Sequence, residues 1–149
     1  MSNAKDPSAV TTGHVMQPNG RPRPMSPHLQ VWRWHVTMLA SILTRVTGSA
    51  LYVGAILVVV WIAALASGAE AYDTFVSLAG SPLGLLVWFG FTVSLLYHFA
   101  AGVRHLIWDA GAALTPKSAD ALSWGSIAFG VVASLAFWAY LFAAGRVSL

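Results

Sequence analysis

The sequence predicts an all-α membrane protein with three transmembrane helices, and two observations lead to this prediction. Of the 149 residues, 57% are hydrophobic and only 9% are charged, whereas an ordinary soluble domain is about 25% charged. No Asp, Glu, Lys or Arg occurs in the windows 46–69, 74–103 and 121–145. Each window exceeds the roughly 20 residues that a helix needs to cross a bilayer core. Because a helix satisfies its own backbone hydrogen bonds in lipid and open strands do not, strand-based architectures are excluded.

The N-terminal region differs in composition from the apolar windows. Residues 1–27 hold five of the seven prolines, which predicts a flexible tail. The segment from His28 to Ala40 mixes tryptophan, arginine and histidine, a composition that predicts an interfacial segment lying on the membrane surface. Residues 28–149 are therefore predicted to form a single transmembrane domain.

The three spans follow in order along that domain. Span one is predicted at about 41–66, span two at about 83–108 and span three at about 124–144. A loop over 67–82 ends in a Gly-Ser-Pro sequence that also suits the first turn of a helix. A second loop is predicted over 109–123.

The distribution of charge predicts an orientation. Basic residues concentrate before and at the start of span one, and the first loop carries only Glu70 and Asp73. Arg104 precedes the second loop, and Lys117 lies in it. By the positive-inside rule, the N-terminus and the second loop face the cytoplasm. The basic residues form no patch, so no nucleic-acid partner is predicted.

The chain contains no cysteine. It therefore offers no disulfide, no thiolate metal site and no cysteine ligand for an iron–sulfur cluster. Any redox cofactor must use other ligands.

His98 lies well inside span two, where an imidazole needs partners. It could bond to a neighbouring helix, or it could ligate heme iron axially, which neutral imidazole suits. Gly90, Ser94, Gly102 and His105 share its helix face. The small residues could make room for a flat macrocycle, although such spacing more commonly lets two helices approach. His98 and His105 are about 10.5 Å apart along the axis, so the second ligand of one iron should come from another subunit.

Three polar residues follow His98 toward the predicted cytoplasmic end of span two. Arg104 and His105 could pair with the carboxylates of heme propionates, and the alternative is that their side chains reach the lipid headgroups. Asp109 closes the span. It could partner Arg104, remain solvated or, as the less favoured interpretation, deliver protons.

A second polar group occurs at the start of span one, where Ser41, Arg45, Gly48 and Tyr52 fall on one stripe. An arginine at the centre of a membrane helix costs about 2.5 to 3.5 kcal/mol, and less near the interface. Arg45 could reach a lipid phosphate. Alternatively, Ser41 and Arg45 could donate hydrogen bonds to the carbonyl oxygens of a quinone whose apolar tail enters from the bilayer.

Three segments together resemble the cytochrome b subunits of succinate dehydrogenase. They are 41–48 (SILTRVTG), 98–109 (HFAAGVRHLIWD) and the upstream 23–29 (RPMSPHL). The resemblance covers about residues 21–145. It departs at Thr44, where the family often has histidine, so the propionate contact usually assigned to that histidine does not carry over.

The resemblance implies a membrane anchor of complex II. A flavoprotein subunit would oxidise succinate, and an iron–sulfur subunit would pass the electrons to ubiquinone at the membrane. His98 would be one axial ligand of a single heme b, and a histidine of a second small anchor subunit would be the other. Ser41 and Arg45 match quinone-site residues, while Arg104 and His105 match positions near the propionates. No catalytic residue is implied in this chain, so enzyme activity would belong to the complex.

Other interpretations stay open. The chain could anchor a fumarate reductase, or it could be a structural anchor without heme. A transporter ranks last because spans one and three have few polar residues on their outer halves. The N-terminal region lacks the Arg-rich, amphipathic pattern of a transit peptide, which favours a bacterial inner membrane over a mitochondrial one.

Overall fold

The computed structural model describes residues 14–16, 22–24 and 32–147. It divides the chain into two compact units, 1–34 and 35–149. The second unit contains all the residues predicted to take part in a site.

The N-terminal unit contains a short antiparallel strand pair. Strand β1 (His14–Met16) pairs with β2 (Pro22–Pro24), and the register places Val15 opposite Arg23. The rest of the predicted tail, residues 1–27, lies outside the described residues. Its flexibility stays a prediction.

The described part of the second unit contains four helices: α1 (Val36–Ser67), α2 (Ala69–Ala79), α3 (Pro82–Asp109) and α4 (Pro116–Ala143). Three of them, α1, α3 and α4, are long and apolar enough to cross a membrane. At 1.5 Å per residue each is about 40 Å long or more, which exceeds the roughly 30 Å of a hydrocarbon core. The predicted all-α membrane fold with three transmembrane helices is confirmed.

Two helices begin earlier than their predicted spans. Helix α1 starts at Val36 instead of Ser41, so the last part of the predicted interfacial segment 28–40 belongs to this helix. Helix α4 starts at Pro116 instead of Trp124. Helix α4 extends beyond the apolar window into the more polar residues 116–123, whereas the residues added to α1, 36–40, are mostly apolar.

The prediction of a loop over 67–82 is wrong in its central part, where α2 forms. Glu70 lies in the first turn of this helix, where a carboxylate interacts favourably with the helix dipole. The partly covered residues of α2 lie on one face of the helix, and they are the adjacent pair Ala71 and Tyr72, followed by Phe75 and Ala79. Because α2 is too short and too polar to span a membrane, a search for apolar windows misses it.

Helices α3 and α4 have matching N-termini. The side chain of Ser81 accepts a hydrogen bond from the Gly84 amide at 3.1 Å, and that of Thr115 accepts one from the Ser118 amide at 3.3 Å. A proline follows each capping residue at the first helical position, where its missing N–H costs nothing. These caps set where the second and third spans begin.

Helices α3 and α4 pack closely through small residues. A Cβ added to Gly130 would lie 2.8 Å from the Cβ of Tyr97, so only glycine permits this approach. Further along the pair, Trp138 Nε1 donates to Thr92 Oγ1 at 3.2 Å. The buried residues of α4 form one stripe, which is Ser123, Ser126, Gly130, Ser134 and Trp138.

Helices α1 and α3 pack so that the N-terminal half of α1 lies beside the C-terminal half of α3. The Tyr97 hydroxyl donates to the Ala40 carbonyl oxygen at 2.8 Å. Nearer the other end, a Cβ on Gly54 would overlap the ring of Phe91. This antiparallel contact brings the polar residues of both helices to the same end of the bundle.

Candidate functional site

His98 contacts α1 through one edge of its imidazole. The side chain is half-buried on α3, and its Nδ1 lies 3.1 Å from Thr47 Oγ1. Thr47 is itself buried, with 8% of its surface exposed. Its hydroxyl also lies 2.8 Å from the Leu43 carbonyl oxygen and 3.3 Å from that of Thr44. One imidazole nitrogen is thus engaged by a neighbouring helix.

Gly48 lies against the same edge of the ring. A Cβ at this position would be 3.2 Å from His98 Cε1 and 3.8 Å from Nδ1. The first distance is tighter than an ordinary van der Waals contact, so a side chain here would displace the imidazole. Gly48 therefore lets α1 approach His98 closely.

The glycines predicted to share the face of His98 have a different environment. Gly90 and Gly102 are exposed, and no described atom lies within 4 Å of a Cβ built on either. Ser94 between them is buried, and its hydroxyl bonds back to the Gly90 carbonyl oxygen at 2.8 Å. Beside His98, the close packing of α1 on α3 therefore depends on Gly48 and not on these two glycines. The small residues beside His98 leave open space.

Ser41 and Arg45 form a pair on the outer side of α1. Arg45 Nη1 donates to Ser41 Oγ at 3.0 Å, and both side chains are exposed. No carboxylate of the described residues forms an ion pair with Arg45. Because Arg45 and Thr47 are two residues apart, they point about 200° apart around the helix. The structure therefore does not bring Arg45 together with His98.

Arg104 and His105 diverge although they are adjacent. Arg104 is 4% exposed, donates from Nη1 to Ser123 Oγ at 3.3 Å, and lies with Cζ 5.0 Å from the centre of the Trp108 ring. Its Nε has no hydrogen-bond partner among the described residues. His105 is exposed on the face of His98, with its ring 5.3 Å from that of Trp108. The side chains of Arg104 and His105 thus project from different faces of α3.

Asp109 is the last residue of α3 and is exposed. No ion pair joins it to Arg104 in the described part of the chain. The structure therefore does not support the alternative in which Asp109 pairs with Arg104. A role in proton delivery stays a prediction.

Several polar residues that the structure brings together have no role predicted from the sequence. Thr47 belongs to the segment 41–48, but only the packing of α1 against α3 reveals its contact with His98. Thr44, at the position where the resemblance departs, donates to the Ala40 carbonyl oxygen at 2.8 Å. His35 Nε2 lies 3.4 Å from Asp120 Oδ2 at the ends of α1 and α4.

The described residues contain no group of three or more His, Cys, Asp or Glu that could hold a metal ion. The spans contain two imidazoles, those of His98 and His105, and they are about 10.5 Å apart along the helix axis, too far to bind one ion together. A metal held at His98 therefore needs further ligands from its own cofactor or from another chain.

Comparison with known proteins places the chain among respiratory membrane subunits. The family model described as "Succinate dehydrogenase/Fumarate reductase transmembrane subunit" matches residues 19–137. The chain is 38% identical over 122 residues to the succinate dehydrogenase cytochrome b556 subunit of Paracoccus denitrificans, covering 79% of this chain and 94% of that one.

Two further relatives extend this result. The cytochrome b556 subunit of Rickettsia prowazekii succinate dehydrogenase is 30% identical over 117 residues, which is 78% of this chain and 90% of the relative. The mitochondrial cytochrome b560 subunit of Sus scrofa succinate dehydrogenase is 39% identical over 98 residues, covering 64% and 58%. The matched region of the family model contains every residue of the candidate site.

Proposed function

Because the chain belongs to the succinate dehydrogenase/fumarate reductase transmembrane subunit family, we propose that it is the cytochrome b membrane anchor of a succinate:quinone oxidoreductase. Its partners are a flavoprotein subunit, an iron–sulfur subunit and a second small membrane anchor. Oxidation of succinate takes place in the flavoprotein, and this chain helps to form the site where ubiquinone receives electrons. Catalysis is a property of the assembled complex.

The proposal that the chain holds heme b is carried by His98. Its Nδ1 is engaged by Thr47, whereas Nε2 is the ring nitrogen left for a metal. The exposed glycines on its face, Gly90 and Gly102, leave room beside it. These residues fit a heme with His98 as one axial ligand and a histidine of the second anchor as the other. When bound, heme b supplies one-electron redox chemistry.

Two side-chain hydrogen-bond donors near the end of α3 support the same proposal. His105 is exposed on the face of His98, and Arg104 has a buried Nε without a partner among the described residues. Buried N–H groups are expected to find acceptors. A heme propionate would be a suitable acceptor for either residue, since charge-assisted hydrogen bonds to carboxylates are strong.

Ser41 and Arg45 are proposed to bind ubiquinone. Both are exposed and already hydrogen-bonded to each other, so their donors are held together on the side of α1 away from Thr47. The Arg45 guanidinium can donate to a quinone carbonyl oxygen and stabilise the negative charge that develops there during reduction. The iron–sulfur subunit and the second anchor would complete this pocket. Asp109 is proposed to contribute to proton delivery at the same end of the bundle.

The proposed location is a bacterial inner membrane with the N-terminus in the cytoplasm. The start of α1 and the end of α3 lie together, and this end carries the basic residues Arg45 and Arg104, with Lys117 near the start of α4. The positive-inside rule assigns it to the cytoplasmic side. Soluble subunits docked on that side would meet Ser41 and Arg45 directly. A fumarate reductase anchor is the second candidate, because the family includes both kinds of complex.

The test is to purify the complex through this chain, identify the co-purifying subunits and record a reduced-minus-oxidised absorption spectrum. We expect a b-type band together with a flavoprotein and an iron–sulfur subunit. Relative rates of succinate oxidation and fumarate reduction by the same preparation distinguish the two candidates. Partners without a heme band would instead indicate a structural anchor.

A further inference from the structure

The contact between Thr47 and His98 has a direction that the surrounding atoms determine. A threonine hydroxyl has one hydrogen and can also accept. Thr47 Oγ1 lies 2.8 Å from the Leu43 carbonyl oxygen, 3.3 Å from that of Thr44 and 3.1 Å from His98 Nδ1. A carbonyl oxygen only accepts, so the hydroxyl hydrogen belongs on the shortest of these contacts, the one to Leu43.

With its hydrogen directed at Leu43, the Thr47 oxygen is available to accept from Nδ1. A neutral imidazole carries its hydrogen on one nitrogen and a lone pair on the other. A hydrogen on Nδ1 therefore leaves the lone pair on Nε2. From this we infer that Thr47 is a positioning residue that selects the Nδ1–H tautomer of His98 and presents Nε2 to the metal. This inference rests on the proposed binding of heme by His98.

Burial of Thr47 strengthens the preference of His98 for the Nδ1–H tautomer. Only 8% of the Thr47 surface is exposed, and the contact lies between two packed helices. Water therefore cannot easily replace the hydroxyl as acceptor, and a buried N–H without an acceptor is disfavoured. Gly48 lets the ring lie this close to α1, because a Cβ added there would be 3.2 Å from His98 Cε1. Thr47 thus sets the tautomer, and the missing side chain of Gly48 lets the imidazole reach it.

The same contact would tune the metal. A histidine ligand that donates its other N–H to an acceptor becomes a stronger electron donor. A more basic imidazole favours the ferric over the ferrous state, so removing the acceptor should raise the midpoint potential of the heme. Loss of such a partner typically lowers metal affinity by about 10- to 100-fold.

The test compares Thr47→Val with Thr44→Val in the purified complex. Valine has nearly the shape of threonine but lacks the hydroxyl. Thr44 lies on the same helix, also bonds back to a backbone carbonyl, and is 3.4 Å from the Tyr97 hydroxyl instead of contacting His98. The readouts are heme content per complex, the midpoint potential by redox titration, and the EPR g values of the oxidised iron, which depend on the orientation of the axial ring.

We expect Thr47→Val to lose heme about 10-fold more readily than wild type, to raise the midpoint potential and to shift the g values. Thr47→Ser should restore all three, and Thr44→Val should resemble wild type. If Thr47→Val does not assemble, Thr47→Ala removes the hydroxyl with less bulk and is judged by the same readouts.

Two results would overturn this inference without affecting the proposed function. The first is a wild-type midpoint potential and wild-type g values in an assembled Thr47→Val or Thr47→Ala complex. The second is failed assembly of both variants while Thr47→Ser assembles. The second result would mean that Thr47 serves packing only. Absence of heme from the wild-type complex would instead overturn the proposed function, and the inference with it.

Discussion

The two interfaces that α3 makes with its neighbours use the same kinds of residue for different purposes. Toward α4, Trp138 donates to Thr92, Arg104 donates to Ser123, and Gly130 admits the backbone of Tyr97. Toward α1, the contact of Thr47 with His98 engages only one imidazole nitrogen. Whether a polar residue in a membrane helix binds a ligand is thus best inferred from the hydrogen-bond donors and acceptors that its own chain leaves unpaired.

The two arginines of the spans show the same contrast. Arg104 is buried against Ser123 and Trp108 between α3 and α4. Arg45 is exposed, and its one described side-chain bond is to Ser41. Arg104 has only its buried Nε left without a partner among the described residues, whereas Arg45 is exposed and keeps further donors for a ligand that enters from the bilayer. This comparison favours Arg45 over Arg104 for the proposed quinone binding.

The largest expected effect comes from removing the imidazole that faces α1. We expect His98→Ala to abolish the b-type absorption band, because Nε2 of His98 is the proposed iron ligand and alanine supplies none. The chain should still insert, since the spans keep their apolar length. The measurement is a reduced-minus-oxidised spectrum normalised to the amount of this chain in the membrane.

His105→Ala is the matched control for this variant. His105 lies on the same face of α3 but is exposed and too far along the axis to replace His98. We expect the band to persist with a shifted midpoint potential if His105 lies near a propionate. Full heme retention in His98→Ala would contradict the ligand assignment.

A smaller effect is expected from Arg45→Ala. Removing a donor that stabilises developing negative charge typically lowers a rate by about 10²- to 10³-fold, so quinone reduction by succinate should fall by up to that amount. Succinate oxidation with a water-soluble artificial acceptor should change little, because that reaction bypasses the membrane site. The two rates are measured on the same preparation.

A pair of serines provides the control. Ser41 accepts from Arg45 Nη1, whereas Ser49 bonds back to the Arg45 carbonyl oxygen at 3.1 Å and does not contact the guanidinium. Ser41→Ala should weaken quinone reduction more than Ser49→Ala. Equal losses of both activities in Arg45→Ala would show failed assembly and count against a quinone role.

The sequence predicts the three spans because a charge in hydrocarbon is costly, so charge-free windows mark the membrane segments directly. It also singles out His98 inside span two and Arg45 at the start of span one. It does not predict α2, whose apolar face is too short to resemble a span. Nor does it predict the partner of a polar residue: the contact of Thr47 with His98 depends on how α1 is rotated against α3, and no spacing within one helix contains that information.

The smallest expected effect concerns the interface between α3 and α4. A methyl group at Gly130 would approach the Tyr97 backbone to 2.9 Å, whereas no described atom lies within 4 Å of a Cβ on Gly125 of the same helix. Overpacking typically costs about 1–3 kcal/mol, so Gly130→Ala should lower the Tm of the complex and Gly125→Ala should not.

Because Tyr97 adjoins His98 in sequence, the midpoint potential of the heme is the decisive second readout for these variants. If this interface is only structural, the potential stays at its wild-type value while the Tm falls. A potential shift in Gly130→Ala as large as that in Thr47→Val would mean that α4 also positions His98, and the division between the two interfaces would fail.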